Sequence, residues 1–358
     1  VWEVKRDEFG KPKSHVLKNM WDYEINYNSS GVVNSYYLRG YIFYQLNGDL
    51  SNLTFKNASI GIERPEHRAL KPMTASQIGE DLENPFGDGA GTVRRHRGAA
   101  DENAIIRYVN GNVTVDNVHV ENSVVATDRN GSEWMGGLAS KTGSQAAFRN
   151  CSTVDQKMIS STNAAGLGAG GLVAYPGNYS TFDHCFVTGL NMELPVSANK
   201  SFNSYGSGGL IGYVSSSCTI TSCYTAGRIT TDVLNTAGMA GRLAGTSEIT
   251  GSYSAVNVST STTSAAGLVA FNEGTLELND CLYTGSLNAA SSSNTIHLMV
   301  GNNTSTLTVS NCWAYQPHME ETSSLLDGAG LVGYNKLGED FYRGLFGEEY
   351  LYHWDSIG

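Results

Sequence analysis

The sequence predicts an all-β protein wound as a parallel β-helix, or β-solenoid, with repeats of about 30 residues and a cap at each end. Three observations carry this. A short motif keeps returning, as Gly171-Leu172-Val173-Ala174-Tyr175, Gly209-Leu210-Ile211-Gly212-Tyr213, Gly267-Leu268-Val269-Ala270-Phe271 and Gly330-Leu331-Val332-Gly333-Tyr334, with weaker copies from Ala104, Gly137, Gly241 and Leu298. Five of the six cysteines (Cys151, Cys185, Cys223, Cys281 and Cys312) stand fourteen residues after such a start. The composition is that of a turn-rich β protein: 41 Gly, only 7 Pro and 16% charged residues. Aromatic residues make up 10% of the 358-residue chain, which excludes a disordered one.

Residues 1–40 break the repeat and carry Trp2, Trp21, Tyr23 and Tyr27; they read as an N-terminal cap or the remnant of a preceding segment. The solenoid is expected over 41–334. In its first coil Leu53-Thr54-Phe55 aligns with Val113-Thr114-Val115, which places Ala58 at the cysteine position. Within each copy, mostly apolar residues at offsets nine and eleven, with polar ones between, read as a short strand with one face inward. The copy from Gly241 is expected to run three residues short, with Ser252 in the cysteine place. A sandwich would also supply many short strands, but it does not explain the same residue types at one fixed offset. A solenoid does, because equivalent positions stack about 4.8 Å apart along the axis. Residues 335–358 read as a C-terminal cap, with a short helix between Leu337 and Leu351 and Trp354 over the last coil.

Six cysteines allow three disulfides, or a metal site. The competing reading is a buried ladder of small side chains. Ala58, Val118 and Ser252 replace Cys at the shared position, which suits packing and not pairing, and no Cys-x-x-Cys occurs. The aromatics four residues after each start, Tyr108, Tyr175, Tyr213, Phe271 and Tyr334, are expected to stack in the core; turned outward they would form a ribbon able to hold sugar rings.

Gly208-Gly209-Leu210-Ile211-Gly212-Tyr213, followed by a short strand and Cys223-Tyr224-Thr225-Ala226-Gly227, resembles the GLUG repeat. The resemblance covers roughly residues 104–334, with departures at Ala266, Ala329 and Arg242. It implies a β-solenoid of the kind found in bacterial cell-surface proteins described as adhesins, and in non-catalytic stretches of proteins described as immunoglobulin A peptidases. It brings no catalytic residues. The peptidase label also finds no His-Glu-x-x-His among the eight histidines.

Two places stand out as candidate sites. The polar insertion 61–103 holds Arg64, His67, Arg68, Arg94, Arg95, His96 and Arg97, whose guanidinium forks suit carboxylate or phosphate ligands; a solvated loop is the plainer alternative. Asp128, Asn130 and Glu133 flank Gly131 like half a calcium loop, though an Asx turn is the plainer explanation of them; no other cofactor is expected. The acids Asp183, Glu193, Asp232, Glu248, Glu273, Glu277 and Asp280 share no single offset, so no carboxylate ladder is expected.

Net charge of -11 argues against a nucleic-acid partner or an anionic membrane. No apolar run approaches the length of a membrane-spanning helix. The expected role is non-catalytic binding or adhesion at a bacterial cell surface, toward a host glycan or extracellular protein. No signal peptide opens the sequence, but a start at Val1 reads as trimmed, so one could have been lost. The alternatives are a β-helix polysaccharide lyase or glycoside hydrolase, and a non-catalytic fragment of an immunoglobulin A peptidase.

Overall fold

A computed structural model describes residues 15–18, 20, 22–27, 29, 33–61, 102–127, 134–160, 168–194, 205–232, 234–260, 264–289, 295–315, 328–333 and 336–347. The chain is a parallel β-solenoid. Its strands form one sheet of twenty and one of fourteen, and apart from an antiparallel pair, Tyr23–Tyr27 with Val33–Leu38, every described pairing is parallel.

One coil shows the plan. Strand Gly168–Gly170 runs into a bend at Gly171 and Leu172, and Val173–Tyr175 leaves it; both strands belong to the fourteen-stranded sheet. Ser180–Asp183, a corner at His184 and Cys185, and Phe186–Leu194 then follow in the larger sheet. Each segment pairs in register with its counterpart one coil away. The offset-eleven row runs Val115, Phe148, Phe182, Ile220, Ile249, Leu278 and Val309, as the sequence spacing requires. All but Val309 are 0–1% exposed, and the Phe148 and Phe182 rings stack at 5.2 Å with an 8° interplanar angle. Fully burying such a side chain contributes about 1.5–3 kcal/mol.

The bend explains the glycine that opens each motif. A Cβ on Gly137, Gly171, Gly209, Gly238 or Gly267 would lie 1.8–2.3 Å from the carbonyl oxygen of the matching residue in the next coil. The two exceptions lack that constraint. Ala104 lies in the unbroken strand Glu102–Val109, where no bend forms. Leu298 belongs to the last bend of the stack, and no further bend lies on it among the described residues.

The corner explains the cysteines. The residue before each one sits in the left-handed region: Asn150, His184, Ser222, Asp280 and Asn311 have φ of 47–54°. Asn and Asp tolerate this conformation better than other side chains. The following thiol turns inward, where two backbone carbonyls lie within reach of its single S–H. Cys151 reaches the carbonyls of Arg149 and Val115, Cys185 those of Asp183 and Phe148, and Cys223 those of Thr221 and Phe182. Cys281 and Cys312 repeat the pattern on Asn279 and Ile249, and on Ser310 and Leu278, at 3.2–3.4 Å. Ser252 makes the same bond to the Thr250 carbonyl at 2.9 Å. All six thiols are free and buried, as the ladder reading requires.

Three register expectations are corrected. Leu53 pairs with Val118, so it and not Ala58 fills the cysteine position; Ala58 lies beside Ser123, whose Oγ accepts its N–H at 3.1 Å. A two-residue apolar match cannot distinguish one strand of a coil from the next. The copy placed at Gly241 begins at Gly238, since Ile211 pairs with Ala240 and Tyr213 with Arg242, and it is of full length. Gly330 and Leu331 do not form a bend on Leu298; they pair with Trp313 and Ala314 in the larger sheet.

At the ends, His15–Lys18 pairs with Leu53–Lys56 as a further rung. The helix Glu339–Phe346 falls within the expected span, but it packs on the flank of the solenoid. There Leu345, Phe341 and Tyr342 meet Tyr253, Leu282 and Trp313, a row of outward residues that follow the cysteine position. Trp354 lies outside the described residues. No described helix is long and apolar enough to cross a membrane.

Candidate functional site

The residue four places after each motif start faces outward. In successive coils this row reads Gln45, Tyr108, Lys141, Tyr175, then Tyr213, Arg242, Phe271 and Asn302. Tyr108, Tyr175, Tyr213 and Phe271 are half-buried, so the expected core stack of these aromatics is corrected; Tyr334 lies outside the described residues. The core is filled instead by the residues one and two places after the start, such as Leu172 and Val173. The bend at Gly171 leaves the fourth residue beyond the interior.

The ring faces in this row are largely occupied by neighbours. Trp134 stacks on Tyr175 at 4.5 Å and on Tyr213 at 6.1 Å, and meets Tyr205 edge-on at 4.7 Å. Its six-membered ring lies over Gly168, where a Cβ would be 2.3 Å away. The Arg242 guanidinium lies 4.9 Å from the Tyr213 ring centroid and 5.3 Å from that of Phe271, and pairs with Glu273 at 2.7 Å. Arg242, a departure from the motif, thus fills an aromatic's slot because a planar cation stacks as a ring does. Burial and the neighbouring tyrosines and Glu273 push the Tyr213 hydroxyl above its ordinary pKa, against the pull of Arg242. At the start of the row, Lys141 and Arg107 both pair with Glu102 at 2.6 Å, and the Arg107 guanidinium covers the exposed Tyr44. The row presents ring edges, hydroxyls and cations to solvent at rung spacing.

A second outward feature lies on the larger sheet. An open groove of about 430 Å³ is lined by Glu193, Arg228, Thr230, Thr231 and Asp232. It sits at the ends of Phe186–Leu194 and Tyr224–Thr231, where Asn191 pairs with Arg228 and Glu193 with Thr230. The Arg228 Nε donates to Asn191 Oδ1 at 2.8 Å, and its Nη2 lies 3.4 Å from Glu193 Oε1. Asn191 Nδ2 donates to the same Oε1 at 3.1 Å. Offset counting misses this group because the pairing slips at a bulge between Val187 and Leu190, which displaces Glu193 from its frame. The register also shows that two of the acids do align: Glu248 pairs with Glu277, both exposed.

A third arrangement has the geometry of a nucleophile, base and orienting group. Ser152 Oγ lies 2.7 Å from His119 Nδ1, and His119 Nε2 lies 2.8 Å from Asn117 Oδ1. Asn117 Nδ2 donates to Asn52 Oδ1, so its own Oδ1 faces the imidazole. His119 therefore carries its proton on Nε2 and accepts from Ser152. Burial lowers the His119 pKa, partly opposed by Glu121, and this favours the neutral ring. Ser152 is 1% exposed, which keeps any substrate from its oxygen in this conformation. Four of the thiols are likewise held inert: burial pushes Cys151, Cys185 and Cys281 well up and Cys218 to about 11. Only Cys312 moves down, through a hydrogen bond from Cys281.

The sites expected from sequence, Arg64, His67, Arg68, Arg94, Arg95, His96 and Arg97, and the calcium-like Asp128, Asn130 and Glu133, lie outside the described residues. Among the described residues no group of three or more His, Cys, Asp or Glu is placed to hold a metal ion. Compared with known families, curated proteins and solved structures, the chain matches none, so the resemblance to the GLUG repeat rests on its own residues.

Proposed function

We propose that the chain is a non-catalytic binding scaffold, displayed at a bacterial cell surface and contacting a host glycan or an extracellular protein. The observation that carries this reading is the outward row from Tyr108 to Asn302. A rigid wall repeats tyrosine hydroxyls, ring edges and paired cations at one spacing, which is the kind of surface that gains affinity by many small contacts along an extended partner. The resemblance to the GLUG repeat points the same way. The groups with reactive chemistry support it further, since the thiols and the Ser152 hydroxyl are folded into the wall and bonded there.

The rival, a polysaccharide-cleaving β-helix, is favoured by one feature: Glu193 and Asp232 line a common groove, and glycoside hydrolysis uses two carboxyl groups. The test is an array of glycans and extracellular matrix proteins probed with the purified chain, run beside reducing-end and unsaturated-product assays on the same polysaccharides. Retention of a glycan or a protein without turnover is expected. Turnover of a polysaccharide, or retention of neither class, overturns the proposal.

A further inference from the structure

We propose that Arg107 and Lys141, with Tyr44 beside them, form a subsite for a sugar that carries a carboxylate, a uronate or sialate unit of a glycan. This rests on the reading of the chain as a binding scaffold and names the place and the ligand chemistry. The place departs from the repeat. Three residues after each motif start, the register aligns Tyr44, Arg107, Ser140, Ala174 and Gly212 in successive coils, and small residues continue to Gly301. The bend accounts for the small ones. At Ser140 the hydroxyl donates back across the bend to the Trp134 carbonyl at 2.9 Å, and the side chain is fully buried. The unbroken strand Glu102–Val109 forms no such bend, so its position in this row can carry an arginine.

Glu102 holds both cations, with Arg107 Nη2 on Oε2 and Lys141 Nζ on Oε1, each at 2.6 Å. Neither cation has another carboxylate partner among the described residues. One carboxylate therefore answers two positive charges, and both cations keep part of their surface in solvent, 18% and 26%. Their nitrogens touch the two oxygens of a single carboxylate, so a second carboxylate of the same span can reach both, in charge-assisted hydrogen bonds. Lys141 and the Arg107 fork retain N–H donors for it. The surroundings suit a sugar more than an acidic peptide. The Tyr44 ring, 57% exposed and held 4.6 Å from the Arg107 guanidinium, offers an apolar face to a pyranose. Beside it, Gln45 Nε2 donates to Asn110 Oδ1 at 2.6 Å, a pair of surface amides placed for sugar hydroxyls.

The experiment is calorimetric and NMR titration of the whole chain with sialyllactose, tetragalacturonate, lactose and a hexaglutamate peptide, repeated on Lys141→Gln and Tyr44→Ser. The glutamine amide keeps a donor for Glu102 while removing the second charge, Tyr44 is exposed, and circular dichroism checks that both variants remain folded. Sialyllactose or tetragalacturonate is expected to bind more tightly than lactose, with affinity falling as salt rises; which of the two binds separates a terminal sialate from an internal uronate. Lys141→Gln should weaken that binding about tenfold or more, and Tyr44→Ser about threefold. Binding of a carboxylated sugar that survives Lys141→Gln overturns the site and leaves the broader binding reading standing. Lactose bound as tightly as sialyllactose and tetragalacturonate overturns the carboxylate assignment. Hexaglutamate bound more tightly than either acidic sugar, or sugar binding indifferent to Tyr44→Ser, overturns the sugar assignment. If none of the four binds, this proposal falls, and the array of glycans and matrix proteins judges the broader reading separately.

Discussion

Replacing Gly209 by Ala tests the bend directly. A Cβ there would lie 2.0 Å from the Gly238 carbonyl oxygen, 3.1 Å from its carbon and 3.2 Å from the Thr225 Cβ. The first distance is about 1 Å short of the closest approach that real side chains make, and the obstacle is backbone, not a rotatable side chain. The two coils must therefore part locally. The bonds in the way are Gly209 N–H to the Ala237 carbonyl at 3.2 Å and Leu210 N–H to the Met239 carbonyl at 2.9 Å. Overpacking costs about 1–3 kcal/mol, and each buried hydrogen bond that is lost adds about 1 kcal/mol. Gly209→Ala should destabilise by about 3–5 kcal/mol. Urea unfolding followed by circular dichroism reads the total, and hydrogen exchange at Leu210 and Ile211 reads the place. Gly338→Ala is the control, because nothing lies within 4 Å of its Cβ and its φ of -136° suits any residue. A loss at Gly209 no larger than at Gly338 would refute the steric account of the motif.

Two further outcomes follow from the interior. The Cys151, Cys185, Cys218 and Cys281 thiols should resist a disulfide exchange reagent in the native protein at pH 8 and react on unfolding, because burial holds Cys218 near a pKa of about 11 and the other three well above the ordinary value; fast native labelling of Cys185 would contradict this. His119 should titrate by NMR below 6.5, with Nε2 protonated in the neutral form. Its folded pKa lies below the unfolded one, so the unfolded chain binds the extra proton first. The stability contributed by the neutral ring is present above pH 6.5 and declines as pH falls through the window down to the folded value. His119→Gln should remove that part of the acid sensitivity, and an unchanged pH profile would count against the assignment.

Much of the wall was legible because a solenoid writes its geometry into fixed offsets. Phe148, Phe182 and Ile220 could be placed in one core row from spacing alone, and the cysteines in another, since a residue in register must fit the same slot in every coil. Spacing failed where the motif degenerated. The copy Gly238-Met239-Ala240-Gly241-Arg242 starts three residues earlier than spacing suggests, because Ala240-Gly241 imitates the Ala-Gly pair that opens other copies. Leu53 was assigned to the wrong strand because the first coil has only a short apolar match. Glu193 was invisible to counting because the bulge after Val187 shifts its frame.

What the sequence alone determined is the repeat, the inward rows and the free thiols, all properties of one coil multiplied by stacking. Which face the aromatics take, how Arg242 replaces one of them, and where Glu193, Arg228 and Asp232 converge were decided by the tertiary structure. The physical reason is that an inward position is fixed by the need to exclude water, which residue type reveals. An outward position is fixed by what the neighbouring coil places beside it, and sequence distance does not record that.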